Sequence, residues 1–314
     1  MVRRGIPSVS IDIMMASFSS NTLNQYNSSL RSWWLYCKDN KLDFCDSNST
    51  ILLQYLTEKF NLGASYSTLN SHRSALSILL GQDVTCNDNT KRFFKGVYRL
   101  KPPLSKYNAT WDPKLVLDYL SNYFPNDSLT LKNLSLKTIT LLALASAQRM
   151  QTLSLIKIKN ITFDSEKIII KIDDLIKTSR PGIHQPLIVL PYIKENPKVC
   201  PAVTLKHYID KTSFLRLQEE YIFISYQKPH KRVCSQTLSH WVKLILEQSG
   251  IDTKLYGAHS TRHASTSAAH RKGVNLEVIR KAAGWSESSH VFLKYYNKDV
   301  STSTESEFVN AIFE

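Results

Sequence analysis

Two segments near the C-terminal end of the chain, AHSTRHASTSAAHRKG and AAGWSESSHVFLKYY, carry side chains that could handle a phosphodiester. His259 and Arg262 stand three residues apart at the start of a predicted helix and therefore share one helix face. Trp285 and the adjacent pair Tyr295 and Tyr296 follow. An imidazole, a guanidinium, an indole N–H and a phenol can together supply a nucleophile, a proton carrier and donors to phosphate oxygens without a metal.

Two cations further upstream could complete such a site. Arg149 is predicted at the C-terminal end of an apolar helix, Leu134–Met150, where an unpaired guanidinium is costly to bury. It therefore either pairs with a carboxylate or faces a ligand. Lys177 lies in a Lys-Thr-Ser-Arg-Pro-Gly turn between two predicted strands, and simple solvation is its ordinary reading. Singly, each residue has such a structural explanation; their order along the chain is what indicates a site.

A metal centre is the main alternative chemistry. His259 and His263 are four residues apart, which suits two ligands on one helix face, but no H-E-x-x-H glutamate or third ligand accompanies them. The five cysteines are scattered and form no C-x-x-C pair. We therefore predict no metal and no small-molecule cofactor.

The charge of the chain indicates its partner. The 314 residues include 40 Lys and Arg against 26 Asp and Glu, a formal net charge of +14. A strongly basic protein most often binds a polyanion, so double-stranded DNA is the predicted partner, with a small acidic substrate as the alternative.

The elements that must position these residues divide at Pro102-Pro103, because two prolines cannot continue a helix. Before it, residues 1–18 are predicted as a flexible arm and residues 19–101 as a helical DNA-binding domain. Residues 102–109 are the predicted linker, and residues 110–314 form a second domain that contains the candidate reactive residues and a C-terminal tail helix. The predicted fold class is mainly α with a small antiparallel three-stranded sheet, formed by Ile161–Phe163, Lys167–Ile172 and Leu187–Leu190.

Several polar and basic residues are predicted to contact DNA. Hydroxyls, amides and a cation near the start of the third helix suit phosphate contacts, although helix capping and a solvated face explain them equally well. Lysines flank the Pro-Pro linker, and an arginine follows in the strand turn. The predicted DNA-binding residues are Ser67, Thr68, Asn70, Arg73, Lys101, Lys106 and Arg180.

The sequence also predicts where the protein resides. An odd number of scattered cysteines is typical of reduced thiols inside a cell. The N-terminal apolar run is short and interrupted by Asp12, which argues against a signal peptide. No run approaches 18 apolar residues. We expect a protein that is not secreted and does not span a membrane.

The ordered set of candidate residues resembles the catalytic signature of the tyrosine recombinase (phage integrase) family. That signature is an arginine, a hairpin lysine, His-x-x-Arg, a His or Trp after glycine, and a tyrosine. In this chain the corresponding residues are Arg149, Lys177, His259, Arg262, Trp285 and Tyr296. The resemblance extends to both predicted domains, a helical core-binding domain and an α+β catalytic domain.

The resemblance implies a mechanism. Tyr296 attacks the scissile phosphate and gives a 3′-phosphotyrosyl link and a free 5′-hydroxyl. Lys177 protonates the leaving 5′-oxygen, and His259 assists as an acid/base or phosphate donor. A second strand's 5′-hydroxyl then reverses the attack, so strand exchange needs neither metal nor nucleotide. Family behaviour implies a homotetramer across two DNA sites. The pattern Val-Phe-x-Lys-x-Tyr-Asn-Lys favours Tyr296 over Tyr295 as the nucleophile.

The resemblance also implies a phosphate clamp, with departures. Arg149 and Arg262 would bind the non-bridging oxygens, since arginine's fork suits two oxygens at once. Many members have Arg-x-x-Glu, where this chain has Thr152, so Arg149 needs another orienting partner. Trp285 replaces the common histidine and would donate its indole N–H.

Three segments, GASYSTLNSHRSAL, TSRPG and AAGWSESSHVFLKYYNK, most resemble the eukaryotic recombinases of DIRS-type and Crypton mobile elements. That resemblance implies action in the nucleus; otherwise the cytoplasm or nucleoid is expected. Two alternative functions remain open at this point. One is a type IB topoisomerase-like relaxation of DNA, and the other is a DNA-binding protein derived from a mobile element that no longer cuts.

Overall fold

The computed structural model describes residues 2–104, 109–182 and 184–285. The chain separates into two compact units, Met1–Ser105 and Lys106–Glu314. Each unit has its own hydrophobic core. No helix within the described ranges is both long and apolar enough to cross a membrane.

The N-terminal unit is helical throughout its described residues. Four of its helices begin after a Ser or Asn whose side-chain oxygen accepts a backbone N–H of the first turn, which fixes their start points. The fully buried Trp33 lies at the centre of the core, and its Nε1 donates to the carbonyl of Phe44 at 2.8 Å. The helices are α1 (Ser8–Met15), α2 (Ser20–Asp39), α3 (Ser49–Asn61), α4 (Tyr66–Leu80), α5 (Gln82–Thr85) and α6 (Asp88–Leu100).

The first of these helices differs from the sequence expectation. Residues 1–18 are predicted as a flexible arm, whereas the structure contains α1 over Ser8–Met15. None of its residues is buried. Apolar residues recur at helical spacing only where one face of a helix packs against a core. Because α1 has no such face, the sequence contains no periodic pattern that predicts it.

The C-terminal unit is organised around one central helix. That helix, α8 (Leu131–Ser146), is buried along most of its length. It packs against α10, α11 and α12, so nearly every side chain on it must fit an interior. The other helices of the unit are α7 (Pro113–Ser121), α9 (Met150–Leu153), α10 (Pro201–Thr212), α11 (Ser235–Gln248), α12 (Ser260–Arg271) and α13 (Leu276–Ala283).

The same unit contains the three-stranded antiparallel sheet, with β1 (Ile161–Phe163), β2 (Lys167–Lys171) and β3 (Leu187–Pro191) in the order β1-β2-β3. Ile168 and Ile170 of the central strand are fully buried, and their neighbours in the strand are not. This alternation is what the sequence pattern predicts for a half-buried strand. The predicted fold class, mainly helical with a small antiparallel sheet, is confirmed.

The end of α8 requires a correction. The sequence predicts one helix over Leu134–Met150 with Arg149 at its C-terminal end, but α8 ends at Ser146. Ala147 adopts the left-handed conformation with φ 50°, which stops the helix. Arg149 therefore lies at the N-cap position of α9, with extended backbone angles, and not inside a continuous helix.

Candidate active site

The short segment between α8 and α9 forms one side of the candidate site. Arg262 of α12 donates from Nη1 to the carbonyl of Ala147 at 2.6 Å, although the two residues are 115 positions apart. The Arg262 side chain is only 1% exposed. A buried guanidinium is tolerated only with partners, so this hydrogen bond fixes both Arg262 and the backbone that precedes Arg149.

The start of α12 is fixed by a tryptophan from the other end of the unit. Trp111 is buried, and its Nε1 donates to Ser260 Oγ at 2.9 Å. Ser260 Oγ in turn donates to the carbonyl of Gly257 at 2.7 Å. His259 directly precedes Ser260, so these bonds set the position at which the imidazole leaves the backbone.

The end of α13 brings Trp285 to the same place. Gly284 ends the helix in the left-handed region with φ 64°, a conformation that glycine adopts without steric cost. Trp285 N then donates to the Arg280 carbonyl at 2.9 Å. The Arg262 guanidinium carbon lies 4.5 Å from the centroid of the Trp285 ring. This separation is a cation–π contact, so Arg262 and the indole ring stabilise each other's positions.

Gln148 joins this helix end to the segment that carries Arg149. Its Nε2 donates to the Ala282 carbonyl at 2.6 Å, and the residue is buried. A Cβ placed on Gly284 would lie 3.6 Å from the same amide nitrogen. Gln148 therefore ties the Trp285 end of α13 to Arg149.

Lys177 reaches the site from the loop between β2 and β3. Its side chain is exposed and makes no hydrogen bond or ion pair with the described residues. The same holds for the half-exposed Arg149, so the orienting partner expected for it in place of a glutamate is not found within the described part of the chain. Thr152, at the position of that glutamate, is buried.

The electrostatics of His259 show that these cations act on one point. The atoms packed around the imidazole, and then the positive charges of Arg262, Arg149 and Lys177, lower the pKa of His259 from 6.5 to about 4. The residue is nevertheless exposed at the surface. His259 is neutral at pH 7, at the centre of a field suited to an anion.

We expect the pKa of His259 to depend on these neighbours in a titration followed by histidine NMR. Lys177→Ala removes a positive charge and should raise the pKa. Lys171→Ala, a loss of charge on the same sheet that is not among the causes of the shift, should leave it unchanged. A bound duplex should also raise the pKa, since phosphate offsets the cations. Identical titration curves in all four samples would contradict the coupling.

The same shift has a consequence for folding. Between about pH 6.5 and pH 4 the unfolded chain binds a proton at this histidine and the folded chain does not. The free energy of unfolding should therefore fall as the pH falls through this window.

His263, the other member of the histidine pair, packs edge-on against His259 with ring centroids 5.7 Å apart. In the described residues no three His, Cys, Asp or Glu side chains form a group that could hold a metal ion. Tyr295 and Tyr296 lie outside the described residues, as do Lys106 and the tail from Ser303 to Phe313.

The predicted DNA contacts of the N-terminal unit lie around the start of α4. Ser67 and Thr68 are exposed and border a shallow cleft of hydroxyl and amide side chains between α2 and α4. Arg73 donates to Asn70 Oδ1 at 2.7 Å. Lys101 donates to the Gly63 carbonyl at 2.7 Å. The Ser67 and Thr68 hydroxyls each lie 2.9 Å from Ser65 Oγ. All five side chains therefore have partners within the unit, and those of Ser67 and Thr68 are also exposed.

Arg73 has a further contact, with its guanidinium 4.6 Å from the centroid of the Phe94 ring. In the C-terminal unit, Arg180 is exposed in the same loop as Lys177. The guanidinium groups of both arginines lie at or near the surface, where they can contact a phosphate backbone.

Residues that sequence reasoning missed include Trp111, Ala147 and Gln148. Only Gln148 carries a sequence signal, because it directly precedes a candidate arginine. Ala147 contributes its backbone carbonyl, and Trp111 contributes a hydrogen bond to Ser260, which lies 149 positions further along the chain. No local pattern marks either contribution.

Comparison with known proteins places this arrangement in context. Residues 120–302 match the phage integrase family, a range that contains all six candidate catalytic residues. No curated protein matched the chain. Solved structures share the fold at low sequence identity.

A lambda integrase dimer bound to a COC′ core site is 16% identical over 94% of this chain and 95% of that chain, with a TM-score of 0.57. XerH site-specific recombinase bound to palindromic difH substrate is 17% identical over 92% of this chain and 79% of that chain, with a TM-score of 0.63. The Tn1549 transposon integrase in complex with transposon right end DNA is 13% identical over 94% of each chain, with a TM-score of 0.59. At these identities the likeness shows a shared fold.

Proposed function

The chain belongs to the phage integrase family of tyrosine recombinases, and on that premise we propose that it is a site-specific DNA recombinase or integrase. It cleaves and rejoins DNA strands through a 3′-phosphotyrosyl intermediate. The observation that supports the proposal is the packing of Arg262 against Trp285 beside His259, whose pKa is lowered by burial and by the charges of Arg262, Arg149 and Lys177. This group can bind and neutralise one phosphate.

In the proposed cleavage step, the phenol oxygen of Tyr296 attacks the scissile phosphorus and the bond to the 5′-oxygen breaks. Arg149 and Arg262 bind the non-bridging oxygens and offset the charge that accumulates there. Lys177 gives its proton to the departing 5′-oxygen, which leaves as a hydroxyl. The tyrosine gives up its own proton during the attack, and the neutral His259 is an acceptor within the site.

The phosphotyrosyl bond retains the energy of the original phosphodiester. A 5′-hydroxyl from a second strand can therefore attack it, release Tyr296 and form a new DNA linkage. Each cleavage is balanced by one ligation, so the scheme consumes no nucleotide and requires no metal.

Double-stranded DNA is the proposed partner, and a homotetramer on paired sites the proposed assembly. A formal charge of +14 supports an interaction with a polyanion. The neighbouring structures include a lambda integrase tetramer bound to a Holliday junction. We assign DNA binding to residues 19–101, the linker to residues 102–109 and catalysis to residues 110–314. The proposed contacts are Ser67, Thr68, Asn70, Arg73, Lys101, Lys106 and Arg180.

We further propose that the chain derives from a DIRS-type or Crypton mobile element and acts in a nucleus. The three segments quoted above support this origin, and so does the fold shared with a transposon integrase. Genomic DNA beside the coding sequence would test it. A neighbouring reverse transcriptase gene favours a DIRS-type origin, and its absence favours a Crypton.

The proposed activity can be tested although the target sequence is unknown. The full chain is incubated with a pool of duplexes of randomised sequence. Each duplex has one nick in one strand, and the random sequence places that nick close to a cleavage point in some members of the pool. Cleavage then releases a short fragment, and the missing 5′-hydroxyl traps the protein on the DNA. We expect an SDS-resistant protein–DNA adduct whose recovered sequences share a motif.

Two results would overturn the proposal. Sequence-specific binding without an adduct on any duplex would indicate a DNA-binding protein that does not cut. Relaxation of every supercoiled plasmid regardless of sequence, without recombinant products, would indicate a type IB topoisomerase-like activity.

A further inference from the structure

The loop that carries Lys177 is tied at its base by a nearly buried lysine. Lys157 Nζ lies 3.0 Å from Asp174 Oδ1 and 3.2 Å from Asp173 Oδ1. The side chains of Lys157 and Asp174 are 11% and 28% exposed. Because breaking a largely buried ion pair leaves an uncompensated charge, this contact favours one position of the loop base.

A tyrosine completes the contact. Tyr221 donates its hydroxyl to Asp174 Oδ2 at 3.2 Å, so both carboxylate oxygens of Asp174 are engaged. Lys157 and Tyr221 also pair through their backbones as an antiparallel bridge. Ile222 N donates to the Ile156 carbonyl at 2.8 Å beside that bridge. Lys157 and Tyr221 are thus held together by backbone hydrogen bonds that do not involve the Asp174 carboxylate.

A second anchor lies on the other side of Lys177. Ile176 is buried in the core of the unit. Its backbone N–H donates to Ser179 Oγ at 2.9 Å, and Ser179 N donates back to the Ile176 carbonyl at 2.9 Å. Gln185 Nε2 donates to the same hydroxyl at 2.7 Å. The backbone of Lys177 is therefore held on both sides, while its side chain is exposed.

We propose that Lys157, Asp174 and Tyr221 form a brace that positions Lys177 for proton transfer to the leaving 5′-oxygen. Only two residues lie between Asp174 and Lys177, so a displacement of the carboxylate moves the backbone from which the ammonium extends. Proton transfer requires the donor within hydrogen-bond reach of the oxygen. With the backbone held by the brace, the ammonium group changes position mainly by rotation within its own side chain. This inference rests on the recombinase activity proposed above.

A change of leaving group separates positioning of the acid from general structural support. With oxygen at the bridging 5′ position, the departing alkoxide needs a proton. With sulfur at that position, the same attack breaks the phosphorus–sulfur bond and releases a thiolate, which is stable without a proton. A defect in the acid should therefore slow cleavage of the oxygen substrate and spare the sulfur substrate.

We expect Lys177→Ala to lower single-turnover cleavage of the oxygen substrate by about 10²- to 10⁴-fold, the usual contribution of a general acid. Asp174→Asn and Lys157→Met should lower it by about tenfold to a hundredfold, since the acid is present but misplaced. All three variants should cleave the sulfur substrate at the rate of the unchanged protein. Lys157→Arg, which keeps the charge, should recover part of the loss.

Asp164→Asn is the matched control. Asp164 is an exposed carboxylate in the β1–β2 turn of the same sheet and accepts hydrogen bonds from Ser165 within that turn. This variant should change neither rate. Hydrogen exchange gives a readout without DNA, in which the amides of Ile176 and Ser179 exchange faster in Asp174→Asn than in Asp164→Asn.

Each failure has its own signature. Equal losses on both substrates in Asp174→Asn would overturn the brace and indicate general structural support, and no loss on either substrate would overturn it as well. An Asp174→Asn defect confined to the oxygen substrate without faster exchange at Ile176 and Ser179 would also overturn it. Absence of any adduct from the unchanged protein on either substrate would instead overturn the proposed recombinase activity.

Discussion

Tyr296→Phe should abolish the covalent protein–DNA adduct while leaving DNA binding unchanged. Phenylalanine keeps the aromatic ring but lacks the oxygen that attacks phosphorus, so no phosphotyrosyl bond can form. The measurement uses labelled nicked duplexes recovered from the randomised pool, with adducts separated on denaturing gels and binding measured by mobility shift.

Tyr295→Phe is the matched control, since it removes the same hydroxyl one position earlier in the chain. It should form adducts at the level of the unchanged protein. An adduct that persists in Tyr296→Phe and disappears in Tyr295→Phe would transfer the nucleophile to Tyr295. Adducts that survive both changes would remove the two tyrosines from the mechanism.

Arg262→Lys should lower the cleavage rate by about 10²- to 10³-fold, the range found when one donor to a developing oxyanion is removed. The guanidinium already gives Nη1 to the Ala147 carbonyl and packs against Trp285. A lysine ammonium is a compact point charge that cannot reproduce the planar fork and the ring contact together. The loss should therefore fall on the cleavage rate even where the variant remains folded.

Arg216→Lys separates loss of a buried arginine from loss of catalysis. Arg216 is 5% exposed, donates to the Tyr221 carbonyl at 2.8 Å and contacts Thr212, and neither partner is a proposed catalytic residue. This variant should lose about 1.5–3 kcal/mol of unfolding free energy for each lost hydrogen bond to the charged group. Because Arg216 contacts the brace only through the Tyr221 carbonyl, the folded variant should lose much less cleavage rate than Arg262→Lys.

The two arginine variants are compared by chemical denaturation and by single-turnover cleavage at a temperature where both are folded. A cleavage defect of equal size in Arg216→Lys and Arg262→Lys would show that the rate follows stability. An Arg262→Lys variant with full cleavage would exclude Arg262 from the phosphate clamp.

The amino-acid sequence predicts the proposed chemistry, and it predicts the mainly helical fold class that the structure confirms. Phosphoryl transfer of this kind requires particular side-chain types. Those types, and their order from Arg149 to Tyr296, can be read from the sequence without knowledge of the fold. Apolar periodicity predicted most helices and all three strands, because a buried face imposes its repeat on the residues. It could not predict α1, which buries nothing.

Tertiary structure decided how the chemical groups meet. Ala147, a residue type with no strong tendency toward positive φ, ends α8 at Ser146, four residues before the predicted end at Met150, and places Arg149 at the start of α9. Gln148, Trp111 and the Lys157 brace act through partners far away in the chain or through backbone atoms. The pKa of His259 is lowered by burial and then by the positive charges of Arg262, Arg149 and Lys177, which lie in three separate parts of the chain. Local patterns hold information about neighbours a few residues apart, and none of these contacts is local.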